Sequence, residues 1–229
     1  MSEYTQIQTY ARSDQHTFSS ILRKYRIVLE RLGCDDQQVI EWLSQLSWPT
    51  SDDDSFGDIY ASPFILSPAA EKQITCAGLA VSLFMVSPVP ILEETQPCWV
   101  GLNLLFEAEE LRIDGLSTYQ PEAGEILWHI MRELASSFRE IGVYFTDEWQ
   151  ENRSWRAITE GRGEAWAFDL AIFPRELSKH FSVLPAGFQG TLVAQDFGFA
   201  QANRWSRLPW VEAEHNHNSQ PTHESSNQS

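Results

Sequence analysis

The chain has 229 residues, is 42% hydrophobic and 12% aromatic, and carries a formal net charge of −16. That length and apolar content suffice for one domain with a sizeable core, and nine tryptophans argue against disorder, since disordered chains are poor in aromatics. So negative a field repels phosphate backbones, which sets aside a nucleic-acid binder of the ordinary basic kind.

The charge is lopsided. From Asp35 to Ile130 there are sixteen acids and only two bases, Lys72 and Arg112. The three cysteines, Cys34, Cys76 and Cys98, are odd in number and widely spaced. They predict reduced thiols in a cytoplasmic protein rather than a disulfide framework or a zinc ribbon. The first residues show no charged-then-apolar leader, so no signal peptide is expected. The longest uncharged run, Gln73 to Leu92, contains Gly78, Pro88 and Pro90. It suits a buried strand and a proline-bent loop better than a membrane helix, and no membrane association is expected.

In chain order, Asp14 caps a predicted helix reaching about Leu32. Phe18, Ile21, Leu22, Tyr25, Val28, Leu29 and Leu32 recur at helical spacing, and Gly33 stops it. Asp35 or Asp36 caps a second helix with Val39, Ile40, Leu43 and Leu46 on one face. Pro49 and the polar run Thr50 to Ser55 end it. Cys76 to Val86 reads as a strand buried on both faces. Cys98, Val100, Leu102, Leu104 and Phe106 share one face of the next. Asp114-Gly115 suits a tight hairpin.

Pro121 to Glu140 is the clearest helix, with Ile126, Leu127, Ile130, Leu134 and Phe138 as its buried stripe. Ile141, Val143 and Phe145 alternate as a strand. From Ala165 to Phe173, Trp166, Phe168, Leu170 and Ile172 are expected on one face and Ala165, Ala167, Asp169 and Ala171 on the other. Pro174 opens a short helix to about Phe181. Thr191 to Ala194 and Phe197 to Ala200 close the sheet. The order predicts an α+β fold: an N-terminal helical hairpin (14–48), then a mainly antiparallel sheet packed against one central helix (74–200). Residues 1–211 form a single domain, and the polar residues 212–229 a disordered tail.

Motifs with chemical meaning fail on context. Asp196-Phe197-Gly198 spells a kinase tripeptide without the glycine-rich loop, lysine or catalytic loop a kinase needs. Asp52, Asp54 and Gly57 match an EF-hand loop, but Phe56 and Pro63 occupy two ligand positions. Glu125, His129 and Glu133 lie on one helix face without partner ligands from other helices. They read as a solvated polar face. Gly161-Arg162-Gly163 lacks a dinucleotide loop's third glycine, and His215-Asn216-His217 sits in the tail. Arg153, Arg156 and Arg162, with Trp149, Trp155 and Trp166 around them, are balanced by Glu148, Glu151, Glu160 and Glu164. No cofactor or metal is expected.

Two functions compete. The first is an acidic cytosolic binding or inhibitor protein, an immunity-type partner that neutralises a bacterial toxin or effector. Its basic partner would dock on Asp52, Asp53, Asp54, Asp58, Glu93, Glu94, Glu107, Glu109 and Glu110, brought into one patch. The second is an enzyme with a dispersed site, for which Asp147, Glu148, Asp169 and His180 are the candidates.

Overall fold

A computed structural model describes residues 4–49, 57–69, 71–84, 98–113 and 115–211. The predicted tail, Asp114 and the acids Asp52, Asp53, Asp54, Glu93 and Glu94 lie outside the described residues.

The chain opens with a strand that the sequence reading passed over, β1 (Tyr4–Ser13). The helical hairpin follows as α1 (Phe18–Arg31) and α2 (Gln37–Gln45). Asp14 organises the turn before α1, accepting from Thr17 N–H at 2.8 Å and His16 N–H at 2.9 Å. Asp36 caps α2 by accepting from Gln38 N–H at 2.8 Å, satisfying one of that helix's orphan donors. Then come β2 (Gly57–Tyr60), β3 (Phe64–Ala69), β4 (Lys72–Cys76), β5 (Gly78–Phe84) and β6 (Cys98–Glu107). The run expected as one strand from Cys76 is thus split between β4 and β5.

The short α3 (Ala108–Leu111) and the long α4 (Pro121–Ser137) come next, Pro121 standing in the first turn of α4. β7 (Val143–Asp147) leads through a 3-10 turn (Glu148–Gln150) into α5 (Arg153–Thr159). β8 (Leu170–Phe173), a 3-10 helix (Arg175–Phe181), β9 (Phe188–Val193) and β10 (Asp196–Gln201) complete the chain.

Eight strands form one antiparallel sheet in the order β2-β5-β6-β1-β7-β8-β10-β9, and β3 and β4 form a separate ribbon. This is the expected α+β architecture, with β1 at its centre. One face carries α1, α2, α4 and the ribbon, and its core includes Ile7, Leu22, Tyr25, Leu102, Leu104, Leu127, Ile130 and Phe145. The other is covered by α5 and the Arg175–Phe181 helix, over Tyr10, Trp99, Tyr144, Trp155, Phe168 and Phe173.

The face assignment from Ala165 to Phe173 is corrected. The strand starts only at Leu170, after a bend at Asp169. Phe168 therefore joins the core under α5, whereas Leu170 and Ile172 join the core under α4. Among the described residues, no helix is long and apolar enough to cross a membrane.

Candidate functional site

β-sheet register decides which acids meet. Tyr4 is paired with Glu107 on β6, and Thr5 with Asp147 on β7. Adjacent strands lie about 4.8 Å apart, so the ends of β6, β1 and β7 bring Glu107 and Asp147 within roughly 10 Å. Chain continuity adds Glu109 and Glu110 on α3, and Glu148 and Glu151 around the 3-10 turn. All but the half-buried Asp147 are exposed. Tyr4 N–H donates to Glu148 Oε1 at 3.2 Å, fastening the two edges of this cluster.

Asp58 belongs elsewhere. It pairs with Val81, which pairs with Leu102. Leu102 is five residues from Glu107 along β6, about 17 Å of strand. The structure thus gathers Glu107, Glu109 and Glu110 and leaves Asp58 apart. It adds Asp147, which the sequence suggested for a catalytic role, and Glu148, which it suggested for that role or for balancing the arginines.

Trp149 stands in the middle of this acidic end, 79% exposed. Its indole has no place in either core cluster, whereas Trp155 is buried and Trp166 packs half-buried among aromatic rings. Of the three arginines, Arg153 pairs with Glu164 at 3.4 Å, and Arg156 lies near enough to the buried Tyr10 hydroxyl to act on it, as Glu151 does.

The turn that carries Trp149 is held rigid from below. Asp147 Oδ1 accepts from Gln150 N–H at 3.1 Å, and Gln150 Oε1 accepts from Asp147 N–H at 3.2 Å, a closed capping box. Asp147 also pairs with Arg204 at 3.6 Å. Beneath lies Asp169, fully buried. Its Oδ2 accepts from the Tyr119 hydroxyl at 2.7 Å and from Arg204 Nε and Nη2 at 3.2 and 3.1 Å. Gln150 Nε2 approaches Oδ1 at 3.5 Å, and Trp205 Nε1 donates to the Asp169 carbonyl at 2.9 Å.

Burial raises the Asp169 carboxyl above its ordinary value, opposed by Arg204 and by the Tyr119 hydrogen bond. Burial works against the charge on Arg204, but the Asp169 carboxylate and the Tyr119 hydroxyl together outweigh it and raise the guanidinium above its ordinary value. Burial, followed by that same carboxylate, pushes the Tyr119 hydroxyl far above its ordinary value.

This network ties β7, β8, the loop between α3 and α4 at Tyr119 and the segment after β10 into one block. With no solvent access to Asp169, its chemistry is that of a structural lock. His180 sits beyond the far end of β8, on the Arg175–Phe181 helix, away from the other three enzyme candidates. Glu125, from the polar face of α4, pairs with Lys72 at 2.5 Å. Asp196, of the kinase-like tripeptide, pairs with Arg139 at 2.6 Å. Among the described residues, no cluster of three or more His, Cys, Asp or Glu could hold a metal ion.

No protein-family model matches the chain, and no curated protein matches it. The geometry alone carries the functional reading.

Proposed function

We propose that this chain is a binding protein whose partner presents a basic face to the acidic, Trp149-bearing end of the sheet. An immunity-type inhibitor that neutralises a bacterial toxin or effector is the class this describes. The observation that carries the reading is Trp149, 79% exposed on a pinned turn, flanked in the chain by Glu148 and Glu151 at the sheet end where Tyr4 pairs with Glu107. Tryptophan is among the commonest interface anchors. The surrounding carboxylates select a cationic partner and speed its approach. The lock beneath lowers the ordering cost of binding, because the turn is already in place. Three free, buried thiols suit a reducing, cytoplasmic setting for the encounter.

The test is affinity capture from native extract on the full wild-type chain and on a Glu109→Lys, Glu148→Lys, Trp149→Ala variant. A basic protein held by the wild type and lost from the variant supports the reading. An identical captured set on both defeats it.

A further inference from the structure

Among the described residues, the two edge strands of the sheet, β2 and β9, are built differently. β2 has four residues and carries Asp58, the short, charged form that discourages edge pairing. β9 has six residues, Phe188–Val193, with neither a charge nor a proline. Ala202 N–H donates to Gly187 O at 2.7 Å. Antiparallel alternation then commits the backbone groups of Gln189, Thr191 and Val193 to β10. Those of Gly190 and Leu192 face outward, and Phe188 N–H is taken by the Pro185 carbonyl at 3.2 Å.

Apolar side chains accompany this open edge. Leu192 is 62% exposed, and Val183 and Leu184, in the segment leading to β9, are 75% and 51% exposed. On the same face lies a cleft of about 200 Å³ whose walls include Phe173, Phe181, Phe197 and Phe199.

We propose that β9 is the seam of a symmetric dimer, in which a second copy of this chain pairs antiparallel with it about Thr191. Charge selects this edge. Copies of a −16 chain repel one another, and the acid-rich stretch from Asp35 to Ile130 builds β2, β5 and β6 at the opposite side of the sheet. β9 lies seven strand spacings from β2, roughly 33 Å. That is several times the screening length of about 8 Å at physiological salt. Joining at β9 keeps the two acidic halves farthest apart.

Shape selects it as well. Pairing about Thr191 sets Leu192 of each copy opposite Gly190 of the other, the mutual correspondence that a two-fold interface demands. At Gly190 the place of a side chain is taken by the Phe199 ring of the same chain, since an added Cβ would sit 2.7 Å from it. Leu192 of one copy packs against the Phe199 ring of the other. Gly190 and Leu192 both offer outward backbone groups, so they form a hydrogen-bonded pair. The two Thr191 residues then face each other as a non-hydrogen-bonded pair, with Cα atoms about 4.5 Å apart, within disulfide reach.

Light scattering on the full chain, with cysteine cross-linking, tests the seam. The wild type is expected to be a dimer with a melting temperature that rises with concentration, and Leu192→Lys a monomer with the wild-type circular dichroism spectrum and a concentration-independent melting temperature. Thr191→Cys should cross-link into a disulfide dimer under mild oxidation, since the three native thiols are buried. Ile59→Cys on β2, 61% exposed in the wild type, should not. A monomeric wild type, a dimer that survives Leu192→Lys, or a Thr191→Cys chain that stays uncross-linked would each overturn the proposal.

Discussion

Arg204 is the residue on which the site's rigidity turns, because it neutralises Asp169 inside the protein. Arg204→Ala leaves that carboxylate buried with the Tyr119 hydroxyl as its main partner. Breaking a buried pair in this way costs about 3–5 kcal/mol, so the urea midpoint at neutral pH should fall accordingly. The effect has a sign in pH. A carboxyl whose folded value is raised favours the fold below its unfolded value and loses that contribution as pH rises through the folded one. Removing Arg204 raises the folded value further. The penalty should therefore be small in acid, where Asp169 is protonated, and grow toward neutrality. A penalty that is constant across pH would show that Asp169 does not titrate against Arg204. Trp149→Ala should behave oppositely to Arg204→Ala. It should leave stability within about 0.5 kcal/mol, as an exposed position allows. It should weaken partner binding by about 2 kcal/mol or more, roughly 30-fold in Kd by titration calorimetry. The sequence named Asp169 only as a catalytic candidate and Trp149 only beside the arginine cluster, not in the roles the structure gives them. Asp169 reads as one polar position on an alternating strand, and its partners Tyr119 and Arg204 are 50 and 35 residues away. Trp149 reads as one tryptophan among nine, and only burial separates it from Trp155.

At the scale of elements, periodicity and apolar alternation recovered the amphipathic helices and the apolar strands. α1, α2, α4, β6 and the β9–β10 hairpin all fall where the spacing places them. β1 did not announce itself, for a physical reason. It is central and covered on both faces, yet Thr5, Gln6, Gln8 and Thr9 are among its buried side chains. A strand whose inner positions are polar shows neither alternation nor an apolar run. The bend at Asp169 defeated the register beyond it in the same way, since alternation assumes a straight strand. Phe168→Ala should still cost about 3–5 kcal/mol, because Phe168 is buried among Tyr144, Trp166, Phe173 and Phe188. The seating of α4 on the sheet gives a second check. A Cβ on Gly198 would stand 2.4 Å from the Trp128 ring. Gly198→Ala should therefore destabilise by about 1–3 kcal/mol through overpacking. A neutral effect on the denaturant midpoint would mean that α4 can lift from β10 without loss.

Across the whole molecule, the charge asymmetry and the sheet order determine where partners can approach. The acid-rich stretch was plain in the sequence. The register that brings Glu107, Glu109 and Glu110 to Glu148 and Glu151 was not, because it joins segments some forty residues apart through β1. Once a basic partner is in hand, stopped-flow measurement of its association rate across ionic strength tests the docking face most directly. The wild-type rate should fall steeply as salt rises and the screening length shortens to about 8 Å at physiological strength. The Glu107→Lys, Glu109→Lys, Glu148→Lys variant should associate slowly with little salt dependence. Equal rates for the two proteins, indifferent to salt, would contradict docking at this end of the sheet.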